Sequence, residues 1–258
     1  MLKAGLLCIT LVIFSLSSCS RRSDDEATDA PKETVPVADL IKQADEMYRQ
    51  RDNPDKLREG LTLLKRARSS EPENYEANWK FSRLCYYLGD GTSDEKEAEK
   101  VFKDGIDAGK VAVRIAPDKP DGYFWQGANL GGSAEKHPFT EGIKSVGEIR
   151  NLMNKVIEIQ PNYEGASAYG VLAQVELGTR LMGGSAEKAR EYLEKAIALE
   201  PNNSNTRLHL AETYLSLNRK EDAKKQLDYI LKMTPDADHL PDHNQTVEEA
   251  KKMLQTKF

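Results

Sequence analysis

Apolar residues recur along this chain at helical spacing, and five times the pattern closes on a proline: Pro72, Pro117, Pro161, Pro201 and Pro235. Five positions before each proline stands Ala67, Ala112, Val156, Ala196 or Ile230. Eight before stands Leu64, Gly109, Met153, Leu193 or Leu227, and twelve before stands Gly60, Gly105, Ile149, Ala189 or Ala223. Small and larger apolar residues at this spacing form one stripe on a helix, against which another helix packs closely. Proline then ends the helix, because it lacks an N–H and drives its predecessor out of the α region. The pattern predicts about five helix–turn–helix units.

The prolines are 45, 44, 40 and 34 residues apart. The last interval equals the period of a tetratricopeptide repeat (TPR). Leu210, Ala211, Tyr214, Ala223, Leu227, Ile230 and Pro235 resemble that repeat's apolar, small, aromatic and proline positions. Arg207 stands where the repeat often has tryptophan, and Ile230 where it often has alanine. The longer intervals read as the same unit with its internal turn lengthened. Gly91-Thr92-Ser93, Gly131-Gly132-Ser133 and Gly183-Gly184-Ser185 are the expected turns, glycine ending one helix and serine capping the next. No Gly-Lys-Ser/Thr follows them, so they do not form a phosphate-binding loop. Gly105 and Gly109 weaken a long helix expected from Ser93 to Ile115, which implies either close approach of a neighbour or a kink. A last amphipathic segment from Thr246 to about Lys257 reads as a cap. The fold class is therefore all-α, a TPR-like α-solenoid of about five units plus a C-terminal capping helix.

The N-terminus has a different character. Lys3 precedes an apolar run from Ala4 to Leu16, too short to span a bilayer and shaped like a signal-peptide core. It ends in Leu16-Ser17-Ser18-Cys19, which resembles the lipobox of bacterial lipoproteins. That resemblance implies a signal peptide over 1–18 and acylation of Cys19, which would hold the chain to a bilayer. Ser20, not aspartate, follows the cysteine, which in such families points to the outer membrane, facing the periplasm. Residues 19–36 are polar and acidic and read as a flexible tether, leaving 37–258 as the repeat domain. Cys8 leaves with the signal and Cys19 carries lipid, so Cys85 is the one cysteine of the folded part, and it reads as a small core residue.

Without the signal peptide there are 36 basic against 42 acidic residues, a balance that argues against a nucleic-acid surface. No catalytic constellation or cofactor motif emerges, and the chain is not expected to be an enzyme. Asp236, Asp238, His239, Asp242 and His243 cluster, but Pro241 separates the two histidines and no HExxH pattern is present, so a solvated loop is expected and not a metal site. The segment from Asp121 to Gly132 places Tyr123, Phe124 and Trp125 beside four glycines. Its aromatics either fill the core between units, or some of Tyr123, Phe124, Trp125 and Asn129 line a ligand cleft covered by the loop at His137-Pro138-Phe139. Three consecutive aromatics cannot share one helix face, so at least one points elsewhere. Leu181 and Met182 lie in the insertion of the fourth unit, exposed unless something covers them.

Over about Leu40 to Thr234 the chain resembles the T component of TRAP transporters, a family of bacterial TPR lipoproteins. The resemblance rests on Ala108-Gly109-Lys110-Val111-Ala112-Val113-Arg114-Ile115-Ala116-Pro117 and on Gly122-Tyr123-Phe124-Trp125-Gln126-Gly127-Ala128-Asn129-Leu130-Gly131. Glu148-Ile149-Arg150 and Ile157-Glu158-Ile159-Gln160-Pro161 add to it. It implies an oligomerising helical accessory that handles small ligands together with a periplasmic solute-binding protein. The same residues suit a general envelope scaffold that binds proteins and has no transport role.

Overall fold

The computed structural model describes residues 35–137, 142–235 and 240–258. These residues form eleven α-helices and no strand. In chain order they are α1 (Val37–Tyr48), α2 (Pro54–Ser70), α3 (Tyr75–Gly91), α4 (Glu95–Ile115), α5 (Pro120–Lys136), α6 (Ile143–Ile159), α7 (Tyr163–Gly178), α8 (Ala186–Leu199), α9 (Ser204–Ser216), α10 (Lys220–Ile230) and α11 (Leu240–Lys257). Each helix packs on the next. The first helix of each pair also touches the first helix of the following pair, α1 with α3, α3 with α5, α5 with α7 and α7 with α9. The second helices pack chiefly on these first helices. The odd-numbered helices thus form an inner row and the even-numbered ones an outer row, the layering of an α-solenoid.

Every position counted back from the five prolines is buried, from Ala67, Leu64 and Gly60 to Ile230, Leu227 and Ala223. Four of the five helix ends are alike. The residue before the proline leaves the helix, and its N–H donates to the carbonyl five positions before the proline: Glu71 to Ala67, Ala116 to Ala112, Gln160 to Val156 and Glu200 to Ala196, at 2.8–3.0 Å. Pro235 is the exception, because α10 already ends at Ile230 and the chain turns at Leu231.

The two glycines of α4 mark close approach and not a kink. A Cβ on Gly109 would lie 2.7–3.0 Å from the Cβ, Cα and N of Gln126 on α5, and one on Gly105 would collide with the Asn129 amide. In return, a Cβ on Gly122 of α5 would lie 2.7 Å from the Val113 nitrogen of α4. The helix keeps its regular course from Glu95 to Ile115, and its cap is Asp94, not Ser93; the Asp94 carboxylate accepts from the N–H groups of Lys96 and Glu97.

The three glycine-rich segments diverge. Gly183 has φ +98° and Ser185 caps α8, as a turn requires. Gly91 ends α3. Gly131-Gly132-Ser133, by contrast, lies inside α5, where the Phe102 ring fills the space beside Gly132. The helix wins there because the missing side chain admits that ring. Further on, α7 opens with Glu164, Gly165 and Ala166 all in the left-handed region, at φ 47°, 64° and 62°. Asn203 steadies this turn: its amide donates to the Gly165 carbonyl at 2.8 Å while its oxygen caps α9. Finally, α11 begins at Leu240, six residues before the expected Thr246. Pro241 sits in its first turn, where no N–H partner exists to be lost.

One ion pair fastens α4 to α2. Arg58 donates to both oxygens of Glu97 at 2.8 Å, and Thr92 donates to the same carboxylate at 2.8 Å. Arg58, then Thr92, hold the Glu97 carboxyl down to about 2. A depressed folded value contributes stability above the unfolded carboxyl range, near 4.3, and that contribution disappears as pH falls toward 2. Glu97→Gln should therefore have a lower urea midpoint than the wild type at pH 7, and the two midpoints should converge near pH 2.

Candidate partner-binding face

On α3, Trp79, Arg83, Tyr86 and Asp90 succeed one another every three or four residues and so share one side of the helix. Arg83 lies over the Tyr48 ring of α1 at 3.6 Å and over Trp79 at 4.9 Å. Asp45 of α1 accepts from Lys80 at 2.5 Å and from Arg83 at 3.1 Å, and Glu76 of α3 pairs with Lys80 as well, so two carboxylates compensate the two buried cations of α3. Beyond them Tyr86 packs against Trp125 of α5, with ring centroids 5.9 Å apart. The far end of this surface is acidic. Asp90 and Glu135 lie in the last turns of α3 and α5, and neither forms an ion pair with a described residue. Both residues are exposed, yet partial desolvation by their neighbours raises both carboxyls above their ordinary range, and Asp90 raises Glu135 further. Carboxylates at helix C-termini also oppose the helix dipole. Opposite them, His209 of α9 shares its Nδ1 with Gln174 of α7 at 2.8 Å and with Glu212 at 3.2 Å.

The four residues singled out in the aromatic segment have different surroundings. Phe124 is buried and meets Trp125 and Tyr163 edge-on, at 4.9 and 5.4 Å. Trp125 is 3 % exposed, and its indole N–H has no hydrogen-bond partner among the described residues. The Asn129 amide is fully buried and donates to the carbonyls of Ser82 at 2.9 Å and Trp125 at 2.7 Å. Tyr123 is the aromatic that points elsewhere. Its hydroxyl donates to the Pro117 carbonyl at 3.1 Å. Six residues after Pro72 and Pro201, Asn78 and Arg207 donate to those prolines' carbonyls at 2.9 and 2.8 Å. Tyr123 thus occupies a repeat position at which three different side chains satisfy the same turn carbonyl. Arg207 also stacks at 3.5 Å on Tyr229, filling the place of an aromatic ring. Residues 138 and 139, expected to cover a cleft, lie outside the described residues, as do Cys19, Asp236, Asp238 and His239.

The contact least visible in the sequence joins the two ends of the array. Arg51, just past α1, donates through Nε and Nη2 to the two oxygens of Asp242 in the first turn of α11, at 3.1 and 2.6 Å. Its guanidinium lies 4.6 Å from the Tyr48 ring centroid and 5.5 Å from that of Tyr87. Burial disfavours the charged guanidinium, but Asp242, Tyr48 and Tyr87 together outweigh it and hold its proton more firmly than usual. Neighbouring His243 is buried, and its Nδ1 has no hydrogen-bond partner among the described residues. No local motif announces a pair separated by 191 positions.

Two further features complete the picture. Leu181 is fully exposed and Met182 largely so, beside a cavity of about 330 Å³ that Val146, Arg150 and Lys188 also line. Cys85 is fully buried, and burial followed by the charge of Asp104 pushes its thiol above its ordinary value. In the full chain carrying Cys8→Ser and Cys19→Ser, Ellman's reagent should leave the native protein unlabelled and titrate one thiol after denaturation.

These helices and this inner row define a tetratricopeptide-type repeat protein, and residues 181–240 match a tetratricopeptide repeat model. The chain belongs to the family described as regulator of microtubule dynamics protein 1–3, whose model matches residues 40–170. Regulator of microtubule dynamics protein 3 from Rattus norvegicus is 22% identical over 203 residues, covering 73% of this chain and 43% of its own length. The Mus musculus protein is 22% identical over 232 residues, covering 84% of this chain and 48% of its own. The chain thus spans less than half the length of these relatives. Among solved structures, a thermophilic TPR protein of Thermus thermophilus superposes with a TM-score of 0.63 at 22% identity, over 84% of this chain and all of that one. PilF of Pseudomonas aeruginosa superposes with a TM-score of 0.52 at 15% identity, over 86% of this chain and 91% of its own. At these identities the likeness concerns the fold.

Proposed function

We propose that this chain is a non-catalytic scaffold whose inner row docks a segment of a partner protein. The observation that carries the reading is the surface running from Tyr86 to Asp90 and Glu135. Asp90 and Glu135 are exposed there, their carboxyls raised by partial desolvation, and neither forms an ion pair with a described residue, so both can meet a basic segment of a partner. A photo-crosslinking residue at position 135 should give protein adducts that the same residue at exposed position 99, on the outer row, does not. Equal adducts from both positions would remove the reading.

Lipid anchoring through Cys19 at the bacterial envelope belongs to this proposal and is supported by Leu16-Ser17-Ser18-Cys19. Cys19→Ser should abolish palmitate labelling and release the protein from membranes; a labelled variant would refute it. The narrower proposal, a TRAP-type accessory that handles a small ligand near Tyr123, Phe124, Trp125 and Asn129 with a solute-binding protein, is supported by the sequence motifs. Trp125→Ala should then abolish ligand binding while helical circular dichroism is retained. A collapse of that signal would assign Trp125 to the core alone.

A further inference from the structure

The insertion of the fourth unit builds an apolar tip. After α7 the chain makes one 3-10 turn, Arg180–Met182, and leaves it through Gly183 at φ +98°. The Thr179 carbonyl accepts from the N–H groups of Met182 at 2.7 Å and Gly184 at 3.0 Å. On the other side of the turn, the buried Glu176 carboxylate accepts from Arg150 at 2.6 Å and from the Ser185 N–H at 3.1 Å. The turn is thus held from both sides, and what it holds out is apolar. Leu181 keeps its full exposure, and Met182 is 61 % exposed. Ile143 and Val146, three residues apart on α6, extend the patch: Val146 lines the same cavity as Met182, and Ile143 is half exposed. Arg150 pairs with Glu176. Arg180 and Lys188 are exposed and form no ion pair with a described residue, with Glu187 as the opposing charge beside them.

An apolar tip between cations suits one occupant best. A stable protein interface takes about 20–30 residues a side around a packed apolar centre. Four apolar side chains do not make such a centre, and a fully protruding Leu181 would need a pocket already shaped to receive it. A bilayer needs no shape match. It opens around an inserted side chain, and its headgroups supply anionic charge at the level where flanking cations sit. We propose that the Arg180–Met182 turn is a membrane-contact tip: Leu181 and Met182 enter the acyl boundary of an anionic bilayer, and Arg180 and Lys188 meet its phosphates. Two side chains hold a protein to a membrane only weakly, so the contact acts as the second of two signals and orients a domain that is already tethered. The inference goes beyond the scaffold reading and rests on the anchoring proposal for that tether.

The test uses the full chain carrying Cys8→Ser and Cys19→Ser, with the environment-sensitive dye NBD at Met182→Cys or, as a control on the outer row, at Glu99→Cys. Cys85 is fully buried and stays unlabelled. Vesicles of phosphatidylethanolamine and phosphatidylglycerol should raise the emission at 182 at least two-fold, and a lipid-borne doxyl group should quench it. Emission at 99 should not change. Leu181→Ser, a surface substitution whose fold circular dichroism checks, should abolish the rise at 182, and Arg180→Glu with Lys188→Glu should at least halve it. A response at 99 equal to that at 182, no quenching at 182, or a response that survives Leu181→Ser or the charge reversal would overturn the proposal. So would a rise without vesicles that grows with protein concentration, which would assign the tip to a second copy of the chain. Palmitate labelling of Cys19 in the wild type together with a tip that stays in water would leave the anchoring standing and remove this inference alone. Lipid contact at 182 with an unlabelled wild type would do the reverse.

Discussion

Phe102→Ala should lower the unfolding free energy by about 3–5 kcal/mol, the cost of emptying a buried aromatic site that cannot collapse. The Phe102 side chain is 1 % exposed, and two glycines have made room for its ring. Cβ atoms on Gly89 and Gly132 would lie 2.7 and 2.5 Å from it. The walls are therefore backbone from α3 and α5, already drawn close, and cannot move inward to fill the void. Urea unfolding with an unchanged m-value would show this loss. A change below about 1 kcal/mol would mean that the three helices repack, since surface-like substitutions stay within roughly that range.

Gly109→Ala should also destabilise, although alanine is the better helix former. Propensity favours the variant by about 1 kcal/mol. Against it, the new Cβ meets the Cα and nitrogen of Gln126 at 2.9 and 3.0 Å, and backbone cannot rotate away as a side-chain tip can. Forcing α4 and α5 apart strains contacts along the interface, for a typical overpacking cost of about 1–3 kcal/mol. We expect a net loss of about 1 kcal/mol and at most about 2 kcal/mol, the overpacking cost less the propensity gain. Gly122→Ala presses on the same interface from the other side, against the Val113 nitrogen at 2.7 Å. The double variant should lose less than the sum, since one separation relieves both clashes. A Gly109→Ala protein more stable than wild type would show that the interface yields.

Much of the fold was legible because its signals are local. The proline stops, the buried stripe and the TPR positions from Leu210 to Ile230 depend on residues within one or two turns of each other. The candidate site was legible only in part. The aromatic segment drew attention, yet Phe124, Trp125 and Asn129 are packed into the interior, and Tyr123 satisfies a turn carbonyl that recurs with Asn78 and Arg207. Arg51 lay in no motif, and Asp242 drew notice in a different role, as a potential metal ligand. Their pairing exists because the ends of the array meet.

The clearest division is drawn by one hexapeptide that occurs twice. Gly-Gly-Ser-Ala-Glu-Lys at 131–136 is helix, while at 183–188 it is a left-handed turn followed by a cap. Composition, helical period and proline spacing determined that this chain would be a row of helix pairs, because backbone hydrogen bonding and the burial of a stripe act over neighbouring residues. They could not determine which glycine pair would turn. At 132 the Phe102 ring of another helix needs the empty side-chain space, and at 184 the Glu176 carbonyl and Thr179 crowd the backbone into a turn. The same holds for Arg51 and Asp242, whose attraction operates only after the whole array has brought them together.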